Sequence, residues 1–534
     1  MQGVAAAGDD VMKPFGQPGL EPVLVQALST ELPASQVLAP VDLLQRLRGR
    51  PGRLGLALLE SAGGEAGQPG LRRTVAVVRS LLRLEIRGER VLVRALVEEG
   101  RQLADRLAPL LEIASDRRPT LEDQERLKSP SVLDALRAAA GLLKDRQEAA
   151  LPPGLFGAFS YEIVDRFERL PKRPPDPLNE PDASFVLASD MIIEDHARGT
   201  VSIVTRGLPW ESASRVKERH QETVESVRGD RRPEGGGSSE QPEPAAVLLD
   251  TPDMTDERFL ELVRRFQEQI GAGEIFQGVL SRGFAFQGAG EPPDPLAVYR
   301  QLRERNPSPY MFYLELEDGV LLGASPETFL RVEDGYAEIR PIAGTVARGF
   351  DRQGRIDPDL DGRLALSLEL DPKEQAEHAM LLDLARNDVA RVSIPGTTRV
   401  VEQFSIEKFS QVQHLVSRVR GRVRPDLDAL HVYRAAANMG TLTGAPKVRA
   451  MELIREAETT ARGFYGGAAG YLLADGRFDS CIVIRSLRYQ DGVYHGRSGA
   501  GVVWDSEPAR ELQETREKAL ACRLAISAAL GAST

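Results

Sequence analysis

Two cysteines in 534 residues, Cys481 and Cys522, are too few for a disulfide framework or a thiolate metal cage. Cys481 stands in the apolar run CIVI and reads as a core residue. No apolar run has the length of a membrane span, and the opening MQGVAAAGDDVMKPFGQPG lacks the basic stretch followed by an apolar one that marks a secretory leader. A cytoplasmic protein is expected. Basic charge is in deficit: 68 Lys and Arg against 79 Asp and Glu leave a net charge of −11, which speaks against a nucleic-acid or membrane-surface partner. Also missing are a G-x-S-x-G elbow, a Cys in a Gly-rich turn, a His cluster with metal spacing, a fixed-period repeat and a G-x-G-x-x-G after a strand. An activity must then work by positioning, metal and acid–base chemistry.

What is present is the composition of a soluble globular protein, 42% hydrophobic and 28% charged, long enough for two to four domains. The Pro-, Gly- and Ser-rich stretch GDRRPEGGGSSEQPEPAA reads as a linker over 229–246, between a segment 20–228 and a segment 247–534. In the first segment RLGLALLES, TVAVVRSLLRLEIRGERVLVRALV and ASFVLASDMIIEDHARGTVSIVTR predict strands, and SVLDALRAAAGLLKDR predicts a helix. In the second, Phe259, Leu262, Val263, Phe266 and Ile270 share one face of a helix that Thr255 caps. Four Asp-Gly pairs, at 318–319, 334–335, 475–476 and 491–492, predict hairpins and therefore antiparallel strands. Helical blocks near 371–393, 428–437, 446–459 and 507–530 interrupt them, so the expected class is α+β, antiparallel sheets with surrounding helices; a doubly wound parallel sheet is the weaker alternative.

Helical spacing places Glu374, Glu377 and His378 on one side of DPKEQAEHAMLLDLARNDVARV, and stacks Glu511, Glu514 and Lys518 in DSEPARELQETREKALACRLAISAAL. Two acidic faces suit one Mg²⁺, a hard cation that takes few protein carboxylates and keeps sites for substrate oxygens; two solvated helix faces with local ion pairs satisfy the same spacing. PIAGT, NMGTLTGAPK and GRSGAGVVWDS predict Gly-rich bends, the last two ahead of helices, that either bind anions or simply turn the chain. GTLTGAPK is no phosphate-binding P-loop, since Lys447 is separated from the second Gly by Ala-Pro. His414, among alternating Val and Leu in QVQHLVSRV, fits a satisfied structural histidine on pattern alone.

Many ordered strings over about Asp256 to Ile526 nevertheless carry a resemblance: EIFQGVLSR, GASPETFLR, PIAGTVARG, KEQAEHAMLLDLARND, NMGTLTGAPKVRAMELI, YGGAAGY, DSCIVIRS and SGAGVVWDSEP, with weaker matches in LALLES and GLFGAFSYEIVDRFERLP. The chain resembles the chorismate-utilising enzymes, and among them the large subunits of anthranilate synthase. The resemblance implies an α+β fold with two antiparallel sheets. It implies that Glu377 and Glu514 ligate Mg²⁺, with Glu374 and Lys518 beside them. Tyr465 and Arg485 match the grip on the enolpyruvyl carboxylate of chorismate, assisted by backbone N–H groups near Gly501. Glu327 matches the acid that protonates the departing C4 hydroxyl, His414 the residue tied to pyruvate elimination, and Gly344 and Thr345 the lining of the ring site. Relatives that add water to C2 carry a lysine where this chain has Gln277, and relatives that aminate C4 carry one where it has Ala343. The implied reaction is therefore ammonia addition at C2, followed by loss of pyruvate. The implied partner is a separate glutamine amidotransferase subunit in a hetero-oligomer, because neither cysteine has the setting of an activated thiolate.

The resemblance further implies an L-tryptophan feedback site from Glu60 and Ser61, Pro309, Tyr310 and Met311, and Gly470 and Tyr471. In that reading Glu60 and Ser61 receive the ammonium group and Met311 packs on the indole. One departure stands out: the family's lysine after LLES is absent, and only Arg72 and Arg73 lie nearby. Two alternatives complete the expectations: an enzyme that stops at 2-amino-2-deoxyisochorismate, as in phenazine-type pathways, and a catalytically inactive tryptophan sensor.

Overall fold

The computed structural model describes residues 15–16, 20–50, 53–61, 73–111, 123–229, 248–288, 290–409 and 412–531. Most of the 229–246 linker, most of residues 1–20, and Arg72 fall outside that set.

Each Asp-Gly pair closes a hairpin. Tyr310–Leu316 pairs with Gly319–Ser325, Thr328–Glu333 with Tyr336–Ile339, Ala468–Leu473 with Phe478–Ile482, and Ser486–Gln490 with Val493–Val502, all antiparallel. At Asp334-Gly335 and Asp491-Gly492 both residues have positive φ, 52° and 77°, then 50° and 80°. That backbone matches the right-handed twist of the strands entering a two-residue turn, and Asp followed by Gly tolerates it.

The hairpins hang from a spine. Arg73–Arg87 and Ala183–Asp195 pair antiparallel along most of their length. From the first of these one arm runs through Ala57–Glu60, Tyr310–Leu316, Gly319–Ser325, Ser486–Gln490 and Val493–Val502 to Gln277–Gly288. From the second, another arm runs through Gly154–Phe159, Ala468–Leu473, Phe478–Ile482, Thr328–Glu333 and Tyr336–Ile339 to Val412–Arg422, which also pairs with Ile342–Ala347 and Arg399–Lys408. Every pairing in both arms is antiparallel, as the hairpins require, and the class is α+β. Among the described strands, the parallel pairing is Val23–Val25 with Leu143–Asp145.

Both sequence segments supply strands to both arms, and they share one apolar core. Phe159 of the first segment stacks on Tyr433 of the second with ring centroids 4.1 Å apart, and both sit among Phe329, Leu330 and Phe478. The predicted helical blocks appear as Pro372–Val392, Ala429–Ala436, Lys447–Ala457 and Pro508–Gly531. Thr255 caps Asp256–Gly271, its hydroxyl accepting from the Arg258 N–H.

Two expectations need correction. SVLDALRAAAGLLKDR is helical only over Leu133–Ala140 and then enters the strand Leu143–Asp145. Gly141 ends the helix where the chain passes so close to Phe15 that a Cβ would lie 2.3 Å from its carbonyl oxygen. The Gly-rich stretches are also less bent than predicted. Residues 496–502 continue the strand Val493–Val502, and Ile342–Ala347 is a strand with a register shift between Ala343 and Thr345. In each case a β partner takes up backbone groups that an isolated bend would present to an anion.

Candidate active site

Asp371 starts the Pro372–Val392 helix by accepting the N–H groups of Lys373 and Glu374, with Pro372 at the first position, where a missing N–H costs nothing. Glu374 and Glu377 therefore occupy its first turns. Glu511 and Glu514 open the Pro508–Gly531 helix, and the two acidic faces lie within electrostatic reach of each other. The Glu377 carboxyl is pushed up to about 7 by burial first, with Glu374, Glu511 and Glu514 adding to it and Lys373 opposing. Glu374 and Glu511 are raised for the same reasons: burial, then neighbouring carboxylates including Glu514. Lys518 closes this side, 2.5 Å from Glu514 and donating to the Gly499 carbonyl at 3.0 Å.

Three carboxyl groups raised by burial and by neighbouring carboxylates are short of positive charge. Among the described residues no group of three or more His, Cys, Asp or Glu is placed to hold a metal ion by itself. The carboxylate cluster is of the kind Mg²⁺ takes, one or two protein carboxylates with the shell completed by water and substrate.

Across from the carboxylates lies Glu327, in the short connection between Gly319–Ser325 and Thr328–Glu333, 5% exposed. Burial pushes its carboxyl up to about 8; the Thr441 hydroxyl, the Ile342 N–H, Arg485 and Lys518 pull the other way. At neutral pH it holds a proton. The Thr441 hydroxyl stands against the Glu327 carboxyl, and Gln277 Oε1 is buried with no hydrogen-bond partner.

His414 Nδ1 lies 3.0 Å from Thr345 Oγ1 and 3.4 Å from the Gly344 carbonyl oxygen. A carbonyl oxygen can only accept, and the neutral tautomer that donates Nδ1–H to it leaves Nε2 as an acceptor. Burial first, with the Gly344 carbonyl opposing and Arg485 adding, lowers the His414 pKa to about 4, so the ring is neutral. Gly344 makes this approach possible. Its φ is +65°, and a Cβ there would meet Leu368 at 2.6 Å and Glu374 Oε2 at 2.9 Å.

Arg485 precedes the strand Ser486–Gln490 with φ +50°, and its charge reaches Glu327, His414 and Tyr465 alike. Tyr465 is buried, with its hydroxyl 3.1 Å from where a Gly499 Cβ would stand. The Gln277 amide likewise lies 2.8 Å from a Cβ at Gly501, so glycine at 499 and 501 keeps the strand open to these side chains. Glu327, Gly344, Thr345, Glu374, Glu377, His414, Tyr465, Arg485, Gly501, Glu514, Lys518 and Gln277 thus come from both arms and two helices into one connected constellation. Thr441 and Lys373 belong to it as well. Both lie inside motifs that the sequence displays, yet neither spacing nor pattern singles them out.

A second pocket lies over Leu59, Glu60, Arg73, Tyr310, Gly470 and Tyr471, where the first segment meets both arms. Ser61, which follows the strand Ala57–Glu60, and Pro309, which precedes Tyr310, are not among its lining residues. Glu60 lines it with its carboxylate already engaged, accepting from the Tyr299 hydroxyl at 2.7 Å and Arg303 Nε at 3.0 Å. Met311 lines it too, and belongs to the apolar cluster of Leu58, Tyr299 and Tyr313. Asp479, which sequence reading passed over, also lines the pocket and accepts from the Tyr310 hydroxyl at 3.0 Å. Its carboxyl is pushed up to about 6, chiefly by burial.

Residues 93–523 match the chorismate binding enzyme family. Anthranilate synthase component 1 of Vibrio cholerae is 41% identical over 94% of this chain and 96% of its own length. The pyocyanine-specific anthranilate synthase component 1 of Pseudomonas aeruginosa is 42% identical over 86% and 88%. The crystal structure of anthranilate synthase component I from Streptococcus pneumoniae superposes with a TM-score of 0.68 at 28% identity, covering 92% of this chain and 98% of that one. With the matched span taking in both helices of the acidic cluster, Glu327, His414 and Arg485, the chain belongs to the chorismate binding enzyme family.

Proposed function

We propose that this protein is the chorismate-using subunit of an anthranilate synthase, which converts chorismate and ammonia to anthranilate, pyruvate and water in tryptophan biosynthesis. The observation that carries the reading is Glu327: a buried carboxyl whose pKa burial raises, within electrostatic reach of Arg485 and Lys518.

Arg485 and the Tyr465 hydroxyl bind the enolpyruvyl carboxylate, and Lys518 with the backbone near Gly501 supports the substrate from the strand side. Fixed charge and donors at both ends are what a dianion needs on leaving water. The Glu377 and Glu514 carboxylates would hold Mg²⁺, whose chemistry there is to neutralise the ring carboxylate. Glu327 gives its proton to the C4 hydroxyl, which leaves as water while ammonia forms a bond to C2. His414 Nε2, the free acceptor of a neutral ring, then takes the C2 proton as the C3 ether bond breaks, and the enolpyruvyl group leaves as pyruvate. Gln277 and Ala343 offer no amine in the site, so water is not activated at C2 and C4 meets no nucleophile.

Ammonia comes from glutamine through a separate amidotransferase subunit, in the cytoplasm, and L-tryptophan inhibits from the pocket at Glu60, Tyr310 and Tyr471. The test is to incubate the pure chain with chorismate, Mg²⁺ and an ammonium salt and to follow anthranilate fluorescence, with chromatography of the products. Anthranilate and pyruvate in equal amounts are expected. Isochorismate or 2-amino-2-deoxyisochorismate as the main product overturns the reading.

A further inference from the structure

Tyr465 does not hold itself in place. It ends a short turn, Arg462–Tyr465, in which its N–H donates to the Arg462 carbonyl at 3.2 Å. The first sequence segment grips that turn from outside. Glu162 Oε1 accepts the Arg462 N–H at 2.9 Å, and Glu180 Oε2 accepts the Phe464 N–H at 2.7 Å. The Tyr161 N–H donates to the Gly463 carbonyl, and the Ala461 N–H to the Pro175 carbonyl, each at 2.8 Å. Gly463 has φ +59°, and a Cβ there would fall 1.9 Å from Glu180 Oε2, so only glycine lets the carboxylate close on the turn.

Both carboxylates are buried, Glu162 at 3% exposure and Glu180 at 9%, and they are anchored differently. Glu180 also accepts from Arg488 Nε at 3.1 Å, whereas Glu162 Oε2 has no hydrogen-bond partner. Burying a carboxyl with an idle oxygen is costly for a fold that needs only a filler there. The other side of the turn is fixed by Arg462, whose guanidinium binds Glu458 and the carbonyls of Leu442 and Val279 and lies over the Tyr161 ring at 4.6 Å.

We infer that Glu162 and Glu180 are positioning residues for the reaction: two buried carboxylates of the first segment that fix the Arg462–Tyr465 turn and so aim the Tyr465 hydroxyl at the substrate. The inference rests on the substrate-binding role proposed for Tyr465. It makes the first segment part of the catalytic apparatus rather than only a carrier of the effector pocket.

The experiment measures ammonia-dependent kcat and the KM for chorismate in Glu162→Ala, Glu162→Gln, Tyr465→Phe and the double variant Glu162→Ala/Tyr465→Phe. Glu162→Ala is expected to raise KM about tenfold, the weight of one lost buried hydrogen bond, with a smaller change in kcat. Glu162→Gln keeps a carbonyl oxygen for the Arg462 N–H and is expected to stay within about twofold of the parent. In the Tyr465→Phe background, Glu162→Ala should add little, because two changes acting through one contact are not additive. Glu180→Ala removes the second anchor and should repeat the pattern, which serves where Glu162→Ala yields no folded protein. A Tyr465→Phe variant with unaltered KM overturns the reading of Tyr465 and the inference with it. If Tyr465→Phe raises KM but Glu162→Ala multiplies it by the same factor in both backgrounds, or Glu162→Gln is as impaired as Glu162→Ala, the inference alone fails.

Discussion

Thr345 Oγ1 lies 3.0 Å from His414 Nδ1, across the antiparallel pair that directly registers the two residues. The hydroxyl and the Gly344 carbonyl together hold the imidazole in one tautomer and leave Nε2 free. Thr345→Val keeps the shape and removes the hydroxyl, so it should slow proton removal from C2 about fivefold, one neutral hydrogen bond's worth, while sparing amination. Rapid-quench chromatography should then catch 2-amino-2-deoxyisochorismate building up before anthranilate. A variant in which both steps slow equally, with no intermediate, contradicts this placement of His414.

Glu327 and Glu377 are raised from 4.5 to about 8 and about 7. A carboxyl raised by folding holds a proton that the unfolded chain has already released. Its contribution to stability is whole below about 4.5 and disappears as pH climbs through 7 to 8. Without divalent metal the melting temperature should therefore fall as pH rises from about 4.5 to about 8. Mg²⁺ with chorismate should raise it more at the higher pH, because ligating carboxylates must be ionised. Glu377→Ala and Glu514→Ala should fold, lose that Mg²⁺ response and lose nearly all turnover; either variant active in chelator-treated buffer refutes the metal assignment.

Glutamine should be useless to the isolated chain. Burial pushes the Cys522 thiol up to about 12 and raises Cys481 further, and both are enclosed. Neither offers the thiolate that glutamine hydrolysis requires. Ammonium salts should support full turnover, with glutamine effective only once an amidotransferase subunit is added. Glutamine-dependent anthranilate from the rigorously pure chain would falsify this.

Ser61→Arg should relieve tryptophan inhibition by at least about tenfold, within the usual range of allosteric coupling, while leaving kcat unchanged. The arginine would crowd the pocket margin without touching Glu327, Glu377 or Arg485. Chorismate saturation curves with and without tryptophan decide it, and a wild type indifferent to tryptophan removes the site altogether. Asp479→Asn should weaken tryptophan too, since with Glu60 tied to Arg303 the Asp479 carboxyl is the acceptor lining the pocket.

Hairpins and helices were legible because their signals are local. Asp491-Gly492 needs only its own φ preference, and Thr255 only the N–H three residues on. The helix ahead of Leu143 was overextended because the contact that demands Gly141 comes from Phe15, which no window around 141 contains. The same limit applies to the site. Spacing aligned Glu374 with Glu377 and Glu511 with Glu514 on their own helices, but only packing brings the two faces together, so pattern alone favoured solvated ion pairs. The resemblance is what named Glu327, Tyr465 and Arg485. It passed over Thr441, whose hydroxyl acts on Glu327 from a distant turn, and the Tyr299 and Arg303 groups that occupy Glu60.

The strands Ala57–Glu60 and Gly154–Phe159 take their partners Tyr310–Leu316 and Ala468–Leu473 from the far side of the linker. During synthesis both leave the ribosome hundreds of residues before those partners exist. Until then the nascent first segment carries bare strand edges and the apolar faces of Phe156 and Phe159, which invite pairing with other chains. Such distant pairing also slows closure of the sheet, since long loops must form before any contact rewards them. Production of this chain in a cell should accordingly be sensitive to chaperone supply and temperature. Cutting it at the linker should yield two insoluble halves whose activity returns only when both are present as the sheet forms.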